Sequence, residues 1–310
     1  MNILLTGGAG FIGSSIATEY IRLGHDVVIV DDLSTGFLDN VPKGATFYQM
    51  DIRDEALGDI MHRHSIEVVN HHAAQIDVRK SVLDPRFDVA VNVVGSISVV
   101  EAALRQGVKR MIFASTGGAI YGEQDYFPAD EAHPTSPLSP YGISKLTVEK
   151  FLNYYALEKQ LTYTVLRYTN VYGPRQSPHG EAGVVAIFSD KMLRGVEPVI
   201  NGDGLQTRDY VYVGDVVRAN ARALSMEGTD TFNVCTGVET SVVDIYTILN
   251  SGLEHPLKRN HGPAKPGEQR RSVCTFGKIQ SVLGWEPSIP IETGLLTTLQ
   301  YFRDKINEDE

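Results

Sequence analysis

The chain has 310 residues, 42% of them hydrophobic and 21% charged, and a formal net charge of -10. That acidic balance argues against non-specific nucleic-acid binding, though it leaves room for a local basic pocket facing an anionic small molecule. The length predicts one large domain with a smaller one joined to it. Two cysteines, Cys235 and Cys274, stand at no metal-ligand spacing and are expected as buried thiols in a reducing compartment. Neither a charged leader nor an apolar span of about 20 residues is expected, which predicts a cytoplasmic protein with no membrane segment.

In chain order, the predicted strands are 2–6, 26–30, 46–50, 67–71, 110–115 and 162–168. Several are continuous β-branched runs such as Val27-Val28-Ile29-Val30, the pattern of strands buried on both faces. Helical periods lie between them. In 12–23, Ile12, Ile16, Tyr20 and Leu23 recur at three- and four-residue steps before Gly24. The alternation predicts an α/β fold, a doubly wound parallel Rossmann sheet. After about residue 170, Pro and Gly cluster and the elements shorten, which predicts a smaller C-terminal α+β substrate domain. The expected division is 1–169 with 210–236 for the first domain, and 170–209 with 237–310 for the second.

Between the first strand and first helix stands Thr6-Gly7-Gly8-Ala9-Gly10-Phe11-Ile12-Gly13. Gly8, Gly10 and Gly13 satisfy G-x-G-x-x-G, and Gly7, Gly10 and Gly13 the related G-x-x-G-x-x-G. Glycine suits a tight turn whose backbone must approach a pyrophosphate at a helix N-terminus. In that setting a dinucleotide site outweighs an ordinary flexible turn. Asp31, after the second strand, is placed to accept from both ribose hydroxyls and to repel a 2′-phosphate. Asp32 adds negative charge, so NAD rather than NADP is expected. Asp51 and Ile52, after the third strand, are candidates to flank the adenine.

Tyr141 and Lys145 form a Tyr-x-x-x-Lys pair on one helix face. An ammonium beside a phenol is expected to lower the tyrosine pKa and fit it to take a proton from a sugar hydroxyl. Tyr155 and Lys159 repeat the spacing, but about 21 Å further along the same predicted helix. Ligands bind at the carboxyl ends of parallel strands, so Tyr141 is the candidate and Tyr155 a packing residue. A hydroxyl leaving strand 110–115 is expected to share the substrate oxygen with Tyr141: Thr116 first, Ser115 in reserve.

Taken together, Thr6–Gly13, Asp31, His72-Ala73-Ala74, Asn92, Ser115–Gly122, Tyr141–Lys145, Leu166–Arg175, Arg208-Asp209-Tyr210 and Lys265–Glu268 resemble the extended short-chain dehydrogenase/reductase family. Within it the pattern looks like the members that epimerise UDP-sugars at carbon 4. The resemblance implies a tightly held NAD contacted by Gly7, Gly10, Phe11, Ile12, Gly13, Asp31, Asp32, Asp51, Ile52, His72, Ala73, Ala74, Asn92, Tyr141, Lys145 and Tyr168. It implies a UDP-sugar held by Thr116, Tyr141, Asn170, Val184, Arg208, Lys265 and Glu268, and a homodimer built on helices starting near Asp88 and Tyr141. An Arg208 salt bridge with Asp209 or another carboxylate is the alternative to a phosphate clamp.

Three features depart from the family pattern. Lys265 stands where an arginine is usual, the loop after Thr116 carries an extra residue, and Ser272 occupies a position that resembles members admitting N-acetylated sugars. Competing readings are a nucleotide-sugar 4,6-dehydratase or a UDP-glucuronate decarboxylase or 4-epimerase on the same fold. The lyases are disfavoured because Gly117-Gly118 supplies no acid after Thr116. A non-catalytic NAD-binding regulator is disfavoured by the intact Tyr141–Lys145 pair.

Overall fold

The computed structural model describes residues 1–179, 183–264, 267 and 269–309; Lys265 and Glu268 lie outside it. Strand β1 (Asn2–Thr6) leads into α1 (Phe11–Arg22), then β2 (Asp26–Asp31), β3 (Thr46–Gln49), α2 (Leu57–Arg63) and β4 (Val68–His71). There follow α3 (Val78–Leu83), α4 (Pro85–Val89), a π-helical stretch Ala90–Val94, α5 (Gly95–Arg105), β5 (Arg110–Thr116), α6 (Pro140–Lys159) and β6 (Thr162–Tyr168). With β10 (Asp230–Val234) these strands form one seven-stranded sheet in the order β10-β6-β5-β4-β1-β2-β3. Every pairing in it is parallel. This is the doubly wound α/β arrangement. The chain runs outward from β1 to β3 and then restarts at β4, so the crevice between β1 and β4 is the switch point where such folds take ligands.

The chemistry of the segments explains the layers. Ile3, Leu4 and Leu5 are fully buried, as a strand covered on both faces requires. Val69, Met111, Phe113, Leu152 and Val165 form the core on one face of the sheet. Ile16, Tyr20, Leu166, Val216 and Phe232 form the core on the other, with α8 (Val213–Ala223) lying against α1. Helix α6 begins where the sequence invites it. Pro140 occupies the first turn, the Ser139 Oγ accepts from the Gly142 N–H at 3.2 Å, and Gln160 closes the helix in the left-handed region.

A second, four-stranded sheet joins β7 (Asn170–Tyr172), β9 (Thr207–Tyr212), β11 (Glu239–Ser241) and β13 (Arg271–Ser272). Helices α7 (Val184–Leu193), α9 (Val242–Ser251) and α11 (Ile291–Asp309) pack on a third core around Tyr172, Phe188, Ile245 and Leu299. Strands β8 (Val199–Asn201) and β12 (Asn260–Gly262) pair separately, and α10 (Gly277–Leu283) lies near β10.

One expectation needs correction. The helical run Pro85–Arg105 is long and apolar enough to cross a membrane by length and composition. Half of it is buried against the protein, with Val93 and Val100 in or near the core and Val89 at the surface. The polar residues within it, Asp88 and Asn92, are both buried and paired with each other.

Candidate active site

The glycine loop closes the carboxyl end of β1. Gly7 adopts φ +70, and a Cβ there would lie 2.6 Å from the Ala73 nitrogen. A Cβ on Gly13 would come within 2.2 Å of the Gly7 carbonyl oxygen, so the first turn of α1 sits directly on the loop. No side chain caps α1, whose N-cap is Gly10. Its first N–H groups therefore face the crevice with the positive end of the helix dipole, which is what a pyrophosphate requires.

Asp31 ends β2 and is almost wholly buried. Its Oδ2 accepts from the Ala9 N–H and its Oδ1 from the Leu33 N–H, both at 2.9 Å. Burial pushes its carboxyl above the usual range, and the two N–H donors oppose that. Each oxygen keeps acceptor capacity for a ribose hydroxyl. Asp32 turns outward to Ser34. Asp51 forms a two-point ion pair with Arg53, at 2.8 and 2.5 Å, and Ile52 is buried beside it.

At the end of β4 the hydrogen bonds determine a tautomer. The Ser96 hydroxyl donates to the Asn92 carbonyl at 2.6 Å, so it accepts from His71 Nε2–H at 2.9 Å. His71 Nδ1 then accepts from the Thr6 hydroxyl at 2.6 Å, and Thr6 Oγ1 accepts from the Ala73 N–H. His72 Nε2 lies 3.0 Å from the Tyr168 hydroxyl, which accepts from Asn220 Nδ2 at 2.8 Å. The Tyr168 proton therefore points at Nε2, leaving His72 Nδ1 a buried nitrogen with no partner. Burial, reinforced by the Lys145 ammonium, pulls both imidazoles down to about 3. Both are neutral across the physiological range. Asn92 faces the protein: its amide bonds the Gln75 N–H and carbonyl and reaches Asp88.

Across the switch point, Lys145 Nζ donates to the Ala114 carbonyl at 2.9 Å and lies 5.9 Å from the Tyr141 ring centre. Burial lowers the Lys145 pKa to about 8. The Tyr141 phenol differs from the expectation: burial, with the Asp88 charge, pushes it above its ordinary value rather than below. Desolvation outweighs a lysine that aims its proton at a backbone carbonyl. Tyr155 is buried, and its hydroxyl donates to Glu101 at 3.1 Å, a packing role.

The two candidate hydroxyls separate cleanly. Ser115 Oγ donates to Glu149 Oε1 at 2.6 Å, inside a buried ion pair that Glu149 makes with Arg167. Thr116 is the last residue of β5 and only half-buried, and a Cβ on Gly118 would lie 3.9 Å from its Oγ1 and 3.8 Å from Asn170 Oδ1. Thr116 and Asn170 therefore flank the Gly117–Gly118 turn. Glu149, Arg167, Asp88 and Ser144 escaped the sequence reading. Only the i+4 spacing of Glu149 from Lys145 hinted at any of them.

On the second sheet, Arg208 stands opposite Thr240 on one side and Ser272 on the other. It donates to the Thr207 carbonyl at 2.8 Å and, among the described residues, has no carboxylate partner. Asp209, the alternative partner, accepts instead from the Thr236 N–H and Oγ1 and the Gly237 N–H. Ser272 is buried, and Val184 opens α7. Cys235 and Cys274 are buried and unbonded to each other, and Cys274 Sγ lies 3.7 Å from the Gly117 carbonyl.

Residues 3–235 match the model of the NAD dependent epimerase/dehydratase family. The chain belongs to that family. Among curated relatives, the UDP-glucose 4-epimerase of Mycolicibacterium smegmatis is 42% identical, over 98% of this chain and 99% of that one. The structure of UDP-glucose 4-epimerase from Thermotoga maritima with UDP-glucose has a TM-score of 0.96 and 46% identity, covering 99% of this chain and 100% of that one. The Thermus thermophilus UDP-glucose 4-epimerase complex with NAD has a TM-score of 0.92 and 40% identity, covering 98% and 99%. Members of the NAD dependent epimerase/dehydratase family thus share this fold along its whole length.

Proposed function

We propose that the protein is an isomerase that interconverts the carbon-4 epimers of a UDP-sugar, UDP-glucose and UDP-galactose first, with NAD as a retained cofactor. The observation that carries this reading is that Lys145 Nζ, held on the Ala114 carbonyl, and Thr116 lie at the carboxyl end of β5, with Tyr141 one turn before Lys145, in the sheet whose neighbouring strand ends carry the glycine loop and Asp31. Full-length similarity to UDP-glucose 4-epimerases supports the substrate class.

The cradle fits NAD. Gly7 and Gly13 leave no room for a Cβ, the α1 N-terminus is uncapped, and His72 Nδ1 is an unused polar atom. Gly7, Gly10, Phe11, Ile12 and Gly13 would hold the pyrophosphate, and Asp31 the adenosine ribose. Asp32, Asp51 and Ile52 would flank the adenine, with Ala73 and Ala74 behind the nicotinamide half. When bound, NAD supplies a hydride acceptor at carbon 4 and later returns the hydride. Thr116 orients the sugar hydroxyl, and Tyr141 takes its proton and gives it back after the 4-keto sugar has turned over. The Lys145 ammonium, with the positive charge of an oxidised nicotinamide, offsets the burial that raises the phenol. Asn170, Val184 and Arg208 would hold the UDP; Lys265 and Glu268 remain candidates by resemblance alone. Residues 1–169 with 210–236 would act as the cofactor domain, and 170–209 with 237–310 as the substrate domain.

The two carboxylates nearest the pair, Asp88 and Glu149, are both buried in hydrogen bonds, and none follows Thr116 in the turn. This favours an epimerase over a dehydratase or decarboxylase, since neither described carboxylate beside the pair is free to expel a leaving group. Two free, buried thiols fit a cytoplasmic setting. Val89, Val94, Ile143, Tyr154 and Leu157 are exposed on α4–α5 and α6, which supports a homodimer through those helices. The test is to incubate the purified protein with UDP-galactose, without added NAD, and follow UDP-glucose by chromatography. Conversion that vanishes in Tyr141→Phe supports the reading. No conversion, even with NAD supplied, would sink it and move the search to UDP-N-acetylglucosamine, UDP-glucuronate and dTDP-glucose.

A further inference from the structure

Asp88 is a carboxylate without a task in the mechanism above. It lies on α4, fully buried. Its three side-chain donors are neutral: Ser144 Oγ at 2.6 Å on Oδ2, and Asn92 Nδ2 and Gln75 Nε2 at 3.0 Å on Oδ1. Taking an ion out of water is costly, and buried carboxylates are ordinarily paired with a cation. None touches Asp88 among the described residues. Lys145 has the converse problem. It is 4% exposed, and among the described residues its only hydrogen-bond partner is the uncharged Ala114 carbonyl.

The charged and titratable groups around Lys145 come from three elements. Tyr141 precedes it by one turn of α6 and Glu149 follows by one turn. Asp88, on α4, acts on it through space and is one hydrogen bond from the preceding residue, Ser144, while His71 and His72 act from the end of β4. The histidines are neutral. Glu149 is compensated by Arg167 at 2.6 Å. One uncompensated anion and one uncompensated cation remain, Asp88 and Lys145. They are joined mechanically as well, since Ser144, the residue before Lys145, is held by Asp88. Gln75 in the loop after β4 is held by Asp88 and Asn92 together.

We propose that Asp88 is a positioning residue for catalysis, the buried counter-charge that keeps Lys145 an ammonium and fastens α6 to the loop after β4. This rests on the reading of Tyr141 and Lys145 as the catalytic pair, but not on which sugar is turned over. The attraction is through space in a site of low dielectric, where a charge one or two contacts away still acts.

The test is 13C NMR titration of full-length holoenzyme labelled at lysine Cε, with the Lys145 resonance assigned by its loss in Lys145→Arg. In the wild type it should titrate below the ordinary lysine value, because its site is desolvated. In Asp88→Asn the midpoint should fall by about one pH unit, a tenfold gain in neutral lysine at a given pH. Ser144→Ala, which keeps the charge and loses one bond, should leave the midpoint in place. The alkaline limb of kcat should move with the lysine. A folded Asp88→Asn protein with an unmoved midpoint would overturn the proposal. If that variant does not fold, the wild type decides, because a Lys145 already neutral at pH 7 overturns it equally. Absence of turnover on UDP-galactose would not disturb the titration, so failure of the substrate assignment reads differently.

Discussion

The two sheets present their candidate residues in different ways. On the seven-stranded sheet each residue stands at, or just past, the end of the strand that carries it: Gly7 after β1, Asp31 on β2, His72 after β4, Thr116 on β5. On the four-stranded sheet Asn170, Arg208 and Ser272 ride three separate short strands, and only cross-strand pairing sets Arg208 beside Ser272. The first site follows from where strands stop, a local property. The second depends on pairing between segments about 30 to 65 residues apart, so a substitution there should disturb substrate affinity before it disturbs the fold.

Six substitutions break or sharpen that contrast. The largest effect is expected for Tyr141→Phe. It should lose on the order of 10²–10⁴-fold in kcat with NAD content unchanged, measured by steady-state turnover and by absorbance of the cofactor released on denaturation. Equal activity would remove Tyr141 from its role. Arg208→Ala should come next, raising KM for the UDP-sugar about ten- to a hundredfold, the value of a charge-assisted contact to phosphate. Its Tm should hardly change, because the side chain's only described bond is to the neighbouring Thr207 carbonyl. A large loss of Tm instead would place Arg208 in the structural frame.

Gly13→Ala should cost about 1–3 kcal/mol by urea unfolding and weaken NAD retention, since its Cβ would strike the Gly7 carbonyl at 2.2 Å. Gly24→Ala meets nothing within 4 Å and suffers only from its φ of +82, so it should leave NAD retention intact. The smallest effect is Ser115→Ala, about 1 kcal/mol of stability with kcat preserved, while Thr116→Val should lower kcat with stability preserved. Exchange of those two phenotypes would reverse the assignment of the hydroxyl.

Some of this was legible in advance. The continuous apolar strands, the glycine loop and the aspartate ending β2 pointed to the Rossmann arrangement, because buried parallel strands and tight turns impose residue types directly. The six strands anticipated up to Tyr168 all form, within a residue or two of the expected ends. A helix starting near Asp88 was expected but an apolar span of about 20 residues was not; in the structure the run is Pro85–Arg105, with Asp88 and Asn92 both turned inward.

By itself the sequence determined the fold class and pointed to NAD, and it favoured Tyr141 over Tyr155 as the candidate base, since each rests on period, spacing or helix length. Only the tertiary structure decided what surrounds those groups. It put Ser115 on Glu149 and left Thr116 half-buried, gave Arg208 no carboxylate among the described residues, and raised the Tyr141 phenol where spacing to Lys145 had suggested lowering it. Spacing along a helix says which groups are near. How much water each has lost, and which charges oppose it from other elements, is set by packing across the whole chain.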